Sequence, residues 1–145
     1  TLISPAVRVH TVAAGGGSIC DFDGVALTVG PGSAGASPGP ACYGRGGPLT
    51  LTDVQALCGR IHAPSFGVPI DVQAAARAAD DLLARVRTAD PAANRASMLD
   101  GLLAIAAERI AAAIGVVSSS RGHDPTRAAL LAFYRILRKN PPAQG

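Results

Sequence analysis

Hydrophobic and polar positions follow one pattern before Leu51 and another after it. In the first half, short runs of alternating apolar and polar residues predict strands over residues 7–13, 18–22 and 25–29. Between the last two runs stands Asp23-Gly24, a residue pair that is typical of a two-residue hairpin turn. The first half of the chain therefore predicts short strands, of which two form a hairpin.

Residues 30–48 predict a long irregular loop, because glycine and proline recur throughout them. Loops of this length in small domains are usually functional or disordered. The loop begins with a literal G-x-G-x-x-G string, but a dinucleotide site requires a helix directly after the glycines. Pro38 and Pro40 remove backbone donors there and prevent that helix. We therefore reject a Rossmann site, and the chain also lacks the P-loop string.

The second half has helical periodicity. Thr52-Asp53 predicts the cap of a short helix that ends near Gly59. Apolar residues three or four positions apart predict a helix over residues 72–87. The pair Asp90-Pro91 predicts the start of a longer helix, which ends near residue 117. Short strands, a glycine-rich loop and then helices together predict an α/β fold.

Composition narrows the class of protein. A length of 145 residues corresponds to one domain, and 48% hydrophobic against 16% charged residues excludes a disordered chain. The net charge is +3, but no basic run is interleaved with aromatic residues, which argues against nucleic-acid binding. The continuous apolar stretches are shorter than the roughly 20 residues that cross a bilayer, so we expect no membrane partner. Three cysteines without C-x-x-C spacing predict free thiols and a cytoplasmic location.

The string Gly15-Gly16-Gly17-Ser18 follows a predicted strand, where ligand-binding loops often lie. Glycines let a backbone approach an anion closely, and successive N–H groups can form an anion-binding concavity. A tight connection between two strands explains the same four residues equally well. The string therefore leaves a binding site and a simple turn open.

Other polar residues have an ordinary structural interpretation beside a functional one. His10 lies within a strand pattern, where a lone histidine is more often structural than catalytic. Asp53 is most simply a helix cap. Arg121 and Asp124 belong to an R-G-H-D string, which suits the end of one helix and the start of another.

Taken in order, three strings resemble the hydantoinase A/5-oxoprolinase family. They are VHTVAAGGGSI at 9–19, VGPGSAGASPGPACYGRGGPLTLTD at 29–53 and SRGHDP at 120–125. The resemblance covers about residues 6–133. It implies part of a domain of the actin-like, sugar-kinase and heat-shock ATPase type. It also implies an ATP-dependent hydrolase that opens 5-oxoproline or hydantoin rings, with ATP and Mg²⁺ as cofactors and a small cyclic amide as substrate.

The resemblance also assigns roles to residues of this sequence. Nucleotide binding is implied for Gly15, Gly16, Gly17, Ser18, Arg121 and Asp124. Catalytic contacts are implied for His10 and Asp53, and Asp53 is also the implied metal ligand. The physical need for ATP is that an unstrained amide is a poor electrophile, so that phosphorylation of its oxygen would activate the ring carbon for attack by water.

Two departures from the family pattern affect the prediction. The family's D-x-G-G-T phosphate loops have no counterpart in this sequence, and after AALLAF at 128–133 the text no longer follows the family. We therefore expect an internal fragment with a hydantoinase/oxoprolinase domain over residues 1–133 and a divergent tail over residues 134–145. Local propensity predicts a helix over residues 125–139, in place of the family's strand.

Three functional outcomes follow from these departures. The chain is a segment of an active cyclic amidase, a non-catalytic relic, or a binding or structural subunit that needs a partner chain to complete the ATPase site. Whether the assembly contains such a partner or copies of the same chain stays open. We expect the chain alone to be inactive.

Overall fold

Two strands and three helices form an α/β arrangement in the residues that the structure describes. The computed structural model of the chain describes residues 14–122 and 124–127. In chain order its elements are β1 (Ser18–Phe22), β2 (Leu27–Ser33), α1 (Leu51–Leu57), α2 (Val72–Val86) and α3 (Arg95–Ser119). Short 3-10 turns lie at Ala41–Tyr43, Ala63–Ser65 and Pro125–Arg127. The predicted strand over residues 7–13, with His10, lies outside the described residues.

The β1–β2 hairpin is confirmed, but its predicted two-residue turn is wrong. The strands pair antiparallel, and Phe22 is opposite Leu27, so that four residues form the connection. The Asp23 carboxylate accepts hydrogen bonds from the N–H groups of Val25 and Ala26, each at 2.8 Å. These two bonds hold the wider loop, and the second strand consequently begins at Leu27 rather than at Val25.

Strand β2 continues through Gly30-Pro31-Gly32, which the composition had assigned to the loop. The register shifts here, since Ser18 pairs with Ser33 while Cys20 pairs with Val29. The shift accommodates extra residues on β2, where a proline without an N–H donor is tolerated. The predicted loop start at residue 30 is therefore wrong.

Helices α1 and α2 are confirmed, with a correction to the cap of α1. Its N-cap is Thr50, and Asp53 is the third helical residue of a capping box rather than the cap itself. Helix α2 begins after Asp71, whose carboxylate accepts a hydrogen bond from the Ala74 N–H at 3.0 Å. Periodicity and cap agree at this helix, which explains why its bounds match the prediction closely.

Helix α3 is confirmed, but it starts later than Asp90-Pro91. The Asp90 carboxylate instead closes a turn by accepting a bond from the Ala92 N–H at 3.1 Å. Asn94 is the N-cap, and its side chain accepts a bond from the Ser97 N–H at 2.9 Å. Two capping side chains lie close together here, and the second one begins the helix.

One aliphatic core joins the hairpin to all three helices. Its residues are Cys20, Phe22, Val29, Leu49, Leu51, Val54, Ala79, Leu82, Leu83, Val86, Met98, Leu99, Leu102 and Ala106. Arg85 on α2 reinforces the contact with β1, because its guanidinium donates to the Asp21 carboxylate at 2.7 Å and to the Phe22 carbonyl at 2.6 Å. The core therefore fixes how α1 and α3 lie relative to the hairpin.

Helix α3 qualifies the expectation about membranes. Among the described residues it is long and apolar enough, by length and composition only, to cross a bilayer. Met98, Leu99, Leu102 and Ala106 of α3 are buried in the core, whereas only 11% of the most apolar stretch of this helix is buried. Further along the helix, Ile110 is partly exposed and Val116 is exposed.

The predicted helix over residues 125–139 falls mostly outside the described residues. Pro125–Arg127 forms a 3-10 turn, and residues 128–139 are not described. The predicted domain boundary at residue 133 also lies outside the described part of the chain.

Candidate functional site

The glycine string forms a tight turn before β1. The Ser18 N–H donates to the Gly15 carbonyl at 2.9 Å, and the Gly15 N–H donates to Ser18 Oγ at 2.9 Å. These two amide groups are therefore engaged within the turn. A concavity of inward-facing N–H groups, as the sequence suggested, could use only the amides of Gly16 and Gly17.

Close packing explains why Gly16 and Gly17 carry no side chain. The Gly16 carbonyl accepts two hydrogen bonds from Thr52, one from its N–H and one from Oγ1, each at 2.9 Å. A Cβ added at Gly16 would lie 2.8 Å from Thr52 Oγ1, and one at Gly17 would lie 2.9 Å from Ser33 Oγ. A Cβ at Gly15 would meet nothing within 4 Å. The turn is thus fastened to α1 on one side and open on the other.

Asp53 is fully buried and binds the polypeptide through both carboxylate oxygens. Oδ1 accepts a hydrogen bond from the Cys42 N–H at 2.6 Å. Oδ2 accepts bonds from the Ala41 N–H at 3.1 Å, the Thr50 N–H at 2.7 Å and Thr50 Oγ1 at 2.9 Å. A carboxylate offers about four acceptor positions. Asp53 uses them to hold the glycine-rich loop against the start of α1.

The roles predicted for Asp53 in catalysis and metal binding stay predictions. In the described geometry, a metal ion or a substrate would have to displace a backbone N–H or the Thr50 hydroxyl from this carboxylate. The described residues contain no cluster of three or more His, Cys, Asp or Glu side chains that could hold a metal ion. The structure therefore shows Asp53 as a positioning residue.

The loop that Asp53 holds is closed by contact between two glycines. A Cβ at Gly47 would lie 1.8 Å from the Gly39 carbonyl oxygen, so that no side chain fits there. The Ala41 N–H donates to the Pro48 carbonyl at 3.0 Å, and the Cys42 carbonyl accepts from the Asp71 N–H at 2.7 Å. These bonds tie the loop to itself and to the start of α2.

Two buried thiols lie near Asp53. Burial, and then the charge of Asp53, raises the pKa of Cys20 to about 12. Burial also raises the pKa of Cys42 to about 12, helped by its hydrogen bond to Asp53. Neither thiol has the lowered pKa that an activated nucleophile requires.

A cleft of ≈ 690 Å³ opens beside the glycine turn, between α1 and α3. This volume lies within the usual range for small-molecule sites. The lining residues are Gly15, Gly16, Leu51, Thr52, Gln55, Arg60, Ile61, His62, Ser65, Phe66, Leu103, Ala106, Ala107 and Ile110. One side of the cleft is apolar and comes from α3. The opposite rim comes from α1 and the segment that follows it, and it carries polar side chains together with Leu51, Ile61 and Phe66.

Two polar residues of this rim, Arg60 and His62, were not predicted as site residues from the sequence. The positive φ of Gly59, +67°, ends α1, and the Arg60 N–H then donates to the Gln55 carbonyl at 2.9 Å. This C-terminal motif turns the chain toward the cleft. His62 Nδ1 lies 2.8 Å from Ser65 Oγ. A glycine directly before a charged residue at a helix end was the available signal.

Arg121 and Asp124 lie elsewhere. Asp124 Oδ1 accepts bonds from Thr126 Oγ1 at 2.7 Å and from the Thr126 N–H at 2.9 Å, and these two bonds lower the pKa of this exposed carboxyl. Gly122 follows Arg121 with a φ of +68°. Neither Arg121 nor Asp124 is among the described residues that line the cleft. The structure thus brings Gly15 and Gly16 to the cleft, but not these two residues.

Comparison with known proteins places the whole described segment within one family model. Residues 1–133 match the model described as hydantoinase/oxoprolinase. 5-Oxoprolinase 1 of Arabidopsis thaliana is 34% identical over 145 residues, covering 90% of this chain and 12% of the relative. The caprolactamase alpha subunit of Pseudomonas jessenii is 37% identical over 132 residues, covering 88% of this chain and 18% of that subunit. The 5-oxoprolinase of Saccharomyces cerevisiae is 52% identical over 63 residues, covering 43% of this chain and 5% of that enzyme. The chain thus spans less than a fifth of each relative's length.

Proposed function

The chain belongs to the hydantoinase/oxoprolinase family, and from this premise we propose that it is a segment of an ATP-dependent hydrolase that opens small cyclic amides. The family description and the names of the relatives, 5-oxoprolinase and caprolactamase, support the substrate class. The observation that carries the proposal is the cleft edged by Gly15 and Gly16 of the glycine turn and by Thr52 of α1. Either a 5-oxoproline or a hydantoin ring fits this proposal.

ATP supplies the activation that such a reaction needs. An amide ring carbon resists attack by water, and phosphorylation of the amide oxygen makes that carbon electrophilic. Phosphoryl transfer depends on positioning and on neutralising charge rather than on protein nucleophiles. The described residues can contribute positioning, because Thr52 fixes the glycine turn against α1 and Asp53 holds the glycine-rich loop against the start of the same helix. They offer no ligand cluster for Mg²⁺, so we derive no step through the metal.

We propose that the cleft wall beside the glycine turn is the part of the nucleotide-binding site that this chain supplies. The open face of Gly15, where a Cβ would meet nothing within 4 Å, leaves room for a ligand beside the turn. We further propose that the α/β segment is part of an actin-like ATPase-type domain in the cytoplasm. Its remaining parts would come from the same polypeptide, a partner subunit or a second copy.

A chimeric enzyme tests the proposal. The segment of Arabidopsis 5-oxoprolinase 1 that aligns with residues 1–133 is replaced by those residues, and ring opening of 5-oxoproline is measured as glutamate release. We expect the chimera to retain measurable turnover, while the enzyme with the segment deleted has none. A matched control carries Val25→Ser at the exposed hairpin tip and should behave like the chimera. A folded chimera without turnover would contradict the proposal.

The chain of 145 residues by itself should not turn over 5-oxoproline with ATP. In-line transfer requires groups on both sides of the phosphates, and this chain supplies one cleft wall. The measurement is ATP-dependent glutamate release by the purified chain. Sustained release would show that the described cleft already forms a complete catalytic site.

A further inference from the structure

The cleft beside the glycine turn has a charged rim that no role yet explains. Arg60 is exposed there, and its guanidinium makes no hydrogen bond or ion pair with a residue that the structure describes. Arg85 and Arg95, in contrast, are paired with Asp21 and Asp80. A guanidinium without a carboxylate partner at a cleft mouth is free to bind an anion from solution.

The rest of the lining supports an anionic ligand. None of the lining residues is Asp or Glu, so no carboxylate opposes Arg60 within the described cleft. Thr52, Gln55 and Ser65 add polar groups around it. A planar guanidinium binds carboxylate or phosphate through two parallel hydrogen bonds. The rim therefore offers one oxyanion a positive charge, a planar pair of N–H donors and additional polar groups.

The opposite wall selects what is attached to that oxyanion. Leu103, Ala106 and Ile110 of α3 present aliphatic surface to the cleft, on which the carbon face of a ring can pack. Phe66, from the segment after α1, adds further apolar surface, and it packs edge-on against Tyr43 with ring centroids 6.3 Å apart. Tyr43 follows Cys42, whose N–H is bound to Asp53. Phe66 is thereby linked, through Tyr43 and Cys42, to the buried carboxylate of Asp53.

We infer that Arg60 is an anion-binding residue, and that the cleft takes a small ligand that has an oxyanion and a ring whose carbon face can pack on the aliphatic wall. The oxyanion can be the carboxylate on a lactam ring or a phosphate of a nucleotide, and both bind a guanidinium in the same way. The choice of these two ligands rests on the proposed function, whereas anion binding by Arg60 does not depend on it. His62 and Ser65, whose side chains are 2.8 Å apart, form the neighbouring edge of the same rim.

Amide NMR titration of the full 145-residue chain tests this inference. The probes are 5-oxoproline, ATP without metal, and 2-pyrrolidinone, which has the lactam ring without the carboxylate. We expect 5-oxoproline or ATP to shift the amides of residues 60–66, and the one that does so identifies the source of the oxyanion. 2-Pyrrolidinone should bind at least about tenfold more weakly than 5-oxoproline if the carboxylate is the source, since a charge-assisted bond contributes at least that factor.

Matched variants separate Arg60 from nonspecific attraction by a basic protein. Arg60→Gln should weaken binding of the effective anion by at least about tenfold. Arg77→Gln, at an exposed arginine on α2, should leave binding unchanged. Two results would overturn the inference: unaltered affinity in Arg60→Gln, or no shift with either anion at millimolar concentration. Neither result bears on turnover by the chimera, so the failure of this inference is distinguishable from the failure of the proposed function.

Discussion

Replacing Asp53 tests the clamp that organises the candidate site. Its two oxygens accept four hydrogen bonds, three of them from the backbone amides of Ala41, Cys42 and Thr50. Asp53→Ala removes all four acceptor contacts. The Ala41 N–H keeps the Pro48 carbonyl as an acceptor, but the N–H groups of Cys42 and Thr50 and the Thr50 hydroxyl lose their partner in a buried site. Asp53→Asn keeps the shape and one oxygen, but it places an NH₂ group where one oxygen accepts.

The expected magnitudes follow from the cost of unsatisfied buried groups, about 1–3 kcal/mol each. For Asp53→Ala, two orphaned amides and the orphaned Thr50 hydroxyl give a loss of roughly 3–9 kcal/mol, which is comparable with the whole stability of a domain, about 5–15 kcal/mol. For Asp53→Asn, the oxygen can replace Oδ2, and the NH₂ group then opposes the Cys42 N–H. Two donors that face each other without an acceptor correspond to a loss of about 2–6 kcal/mol.

Urea unfolding followed by circular dichroism measures these losses. The matched control is Asp71→Asn, at the N-cap of α2, where Asn and Asp are nearly equivalent. We expect the control to change the unfolding free energy by less than about 0.5 kcal/mol. Asp53→Asn should lower the urea midpoint clearly, and Asp53→Ala should fail to give a folded protein.

A result in which Asp53→Asn unfolds at the same urea concentration as the wild-type chain would refute the clamp. The carboxylate would then be available for the catalytic or metal-binding roles that the family resemblance implies for Asp53. The amide NMR spectrum of the Asn variant gives a second readout. We expect the largest changes at Ala41 and Cys42, since their N–H groups lose or change their acceptor.

Three further predictions concern the glycines and the buried thiols. Gly16→Ala should destabilise the chain by about 2 kcal/mol, because its Cβ would lie 2.8 Å from a hydroxyl that is hydrogen-bonded, whereas Gly15→Ala should be neutral in the same urea assay. Gly47→Ala should abolish the native fold, since its Cβ would lie 1.8 Å from a carbonyl oxygen, while Gly32→Ala, with 3.5 Å to its nearest neighbour, should fold. Burial raises the pKa of Cys20 from its ordinary value of 9.0 to about 12, so stability should be constant below pH 9 and fall as pH rises toward 12.

Each of these predictions has a contrary outcome. Equal stability of the alanine variants at positions 15 and 16 would mean that the turn is not packed against α1. A folded Gly47→Ala protein would place Gly39 and Gly47 further apart than described. Unfolding free energies that stay level from neutral pH to pH 12 would show that Cys20 is not buried as a neutral thiol.

Local signals explain the parts of the fold that the sequence predicts well. Helix α2 combines regular apolar spacing with a capping Asp71, and its predicted bounds are nearly those observed. Helix α3 has two successive capping side chains, Asp90 and Asn94, and only packing decides between them. The extension of β2 through Pro31 depends on pairing with β1, which local composition does not reveal.

The candidate site was predictable in its glycines but not in its polar rim. The string around Gly16 is distinctive, and it does line the cleft. The principal contacts of Asp53 are with residues eleven and twelve positions away, so its cap-like sequence context showed only its bonds to Thr50. Arg60 and His62 belong to no motif, and their place at the rim results from the turn that ends α1.

ATP dependence of ring opening by the chimeric 5-oxoprolinase that carries residues 1–133 tests directly whether this segment serves an ATP-driven hydrolase of cyclic amides. Glutamate and ADP are measured together, with and without ATP and with and without 5-oxoproline. We predict that glutamate appears only with ATP, and that 5-oxoproline stimulates ADP release in step with it. Glutamate release at the same rate without ATP, or ADP release that is indifferent to 5-oxoproline, would contradict a role for this chain in an ATP-driven cyclic-amide hydrolase.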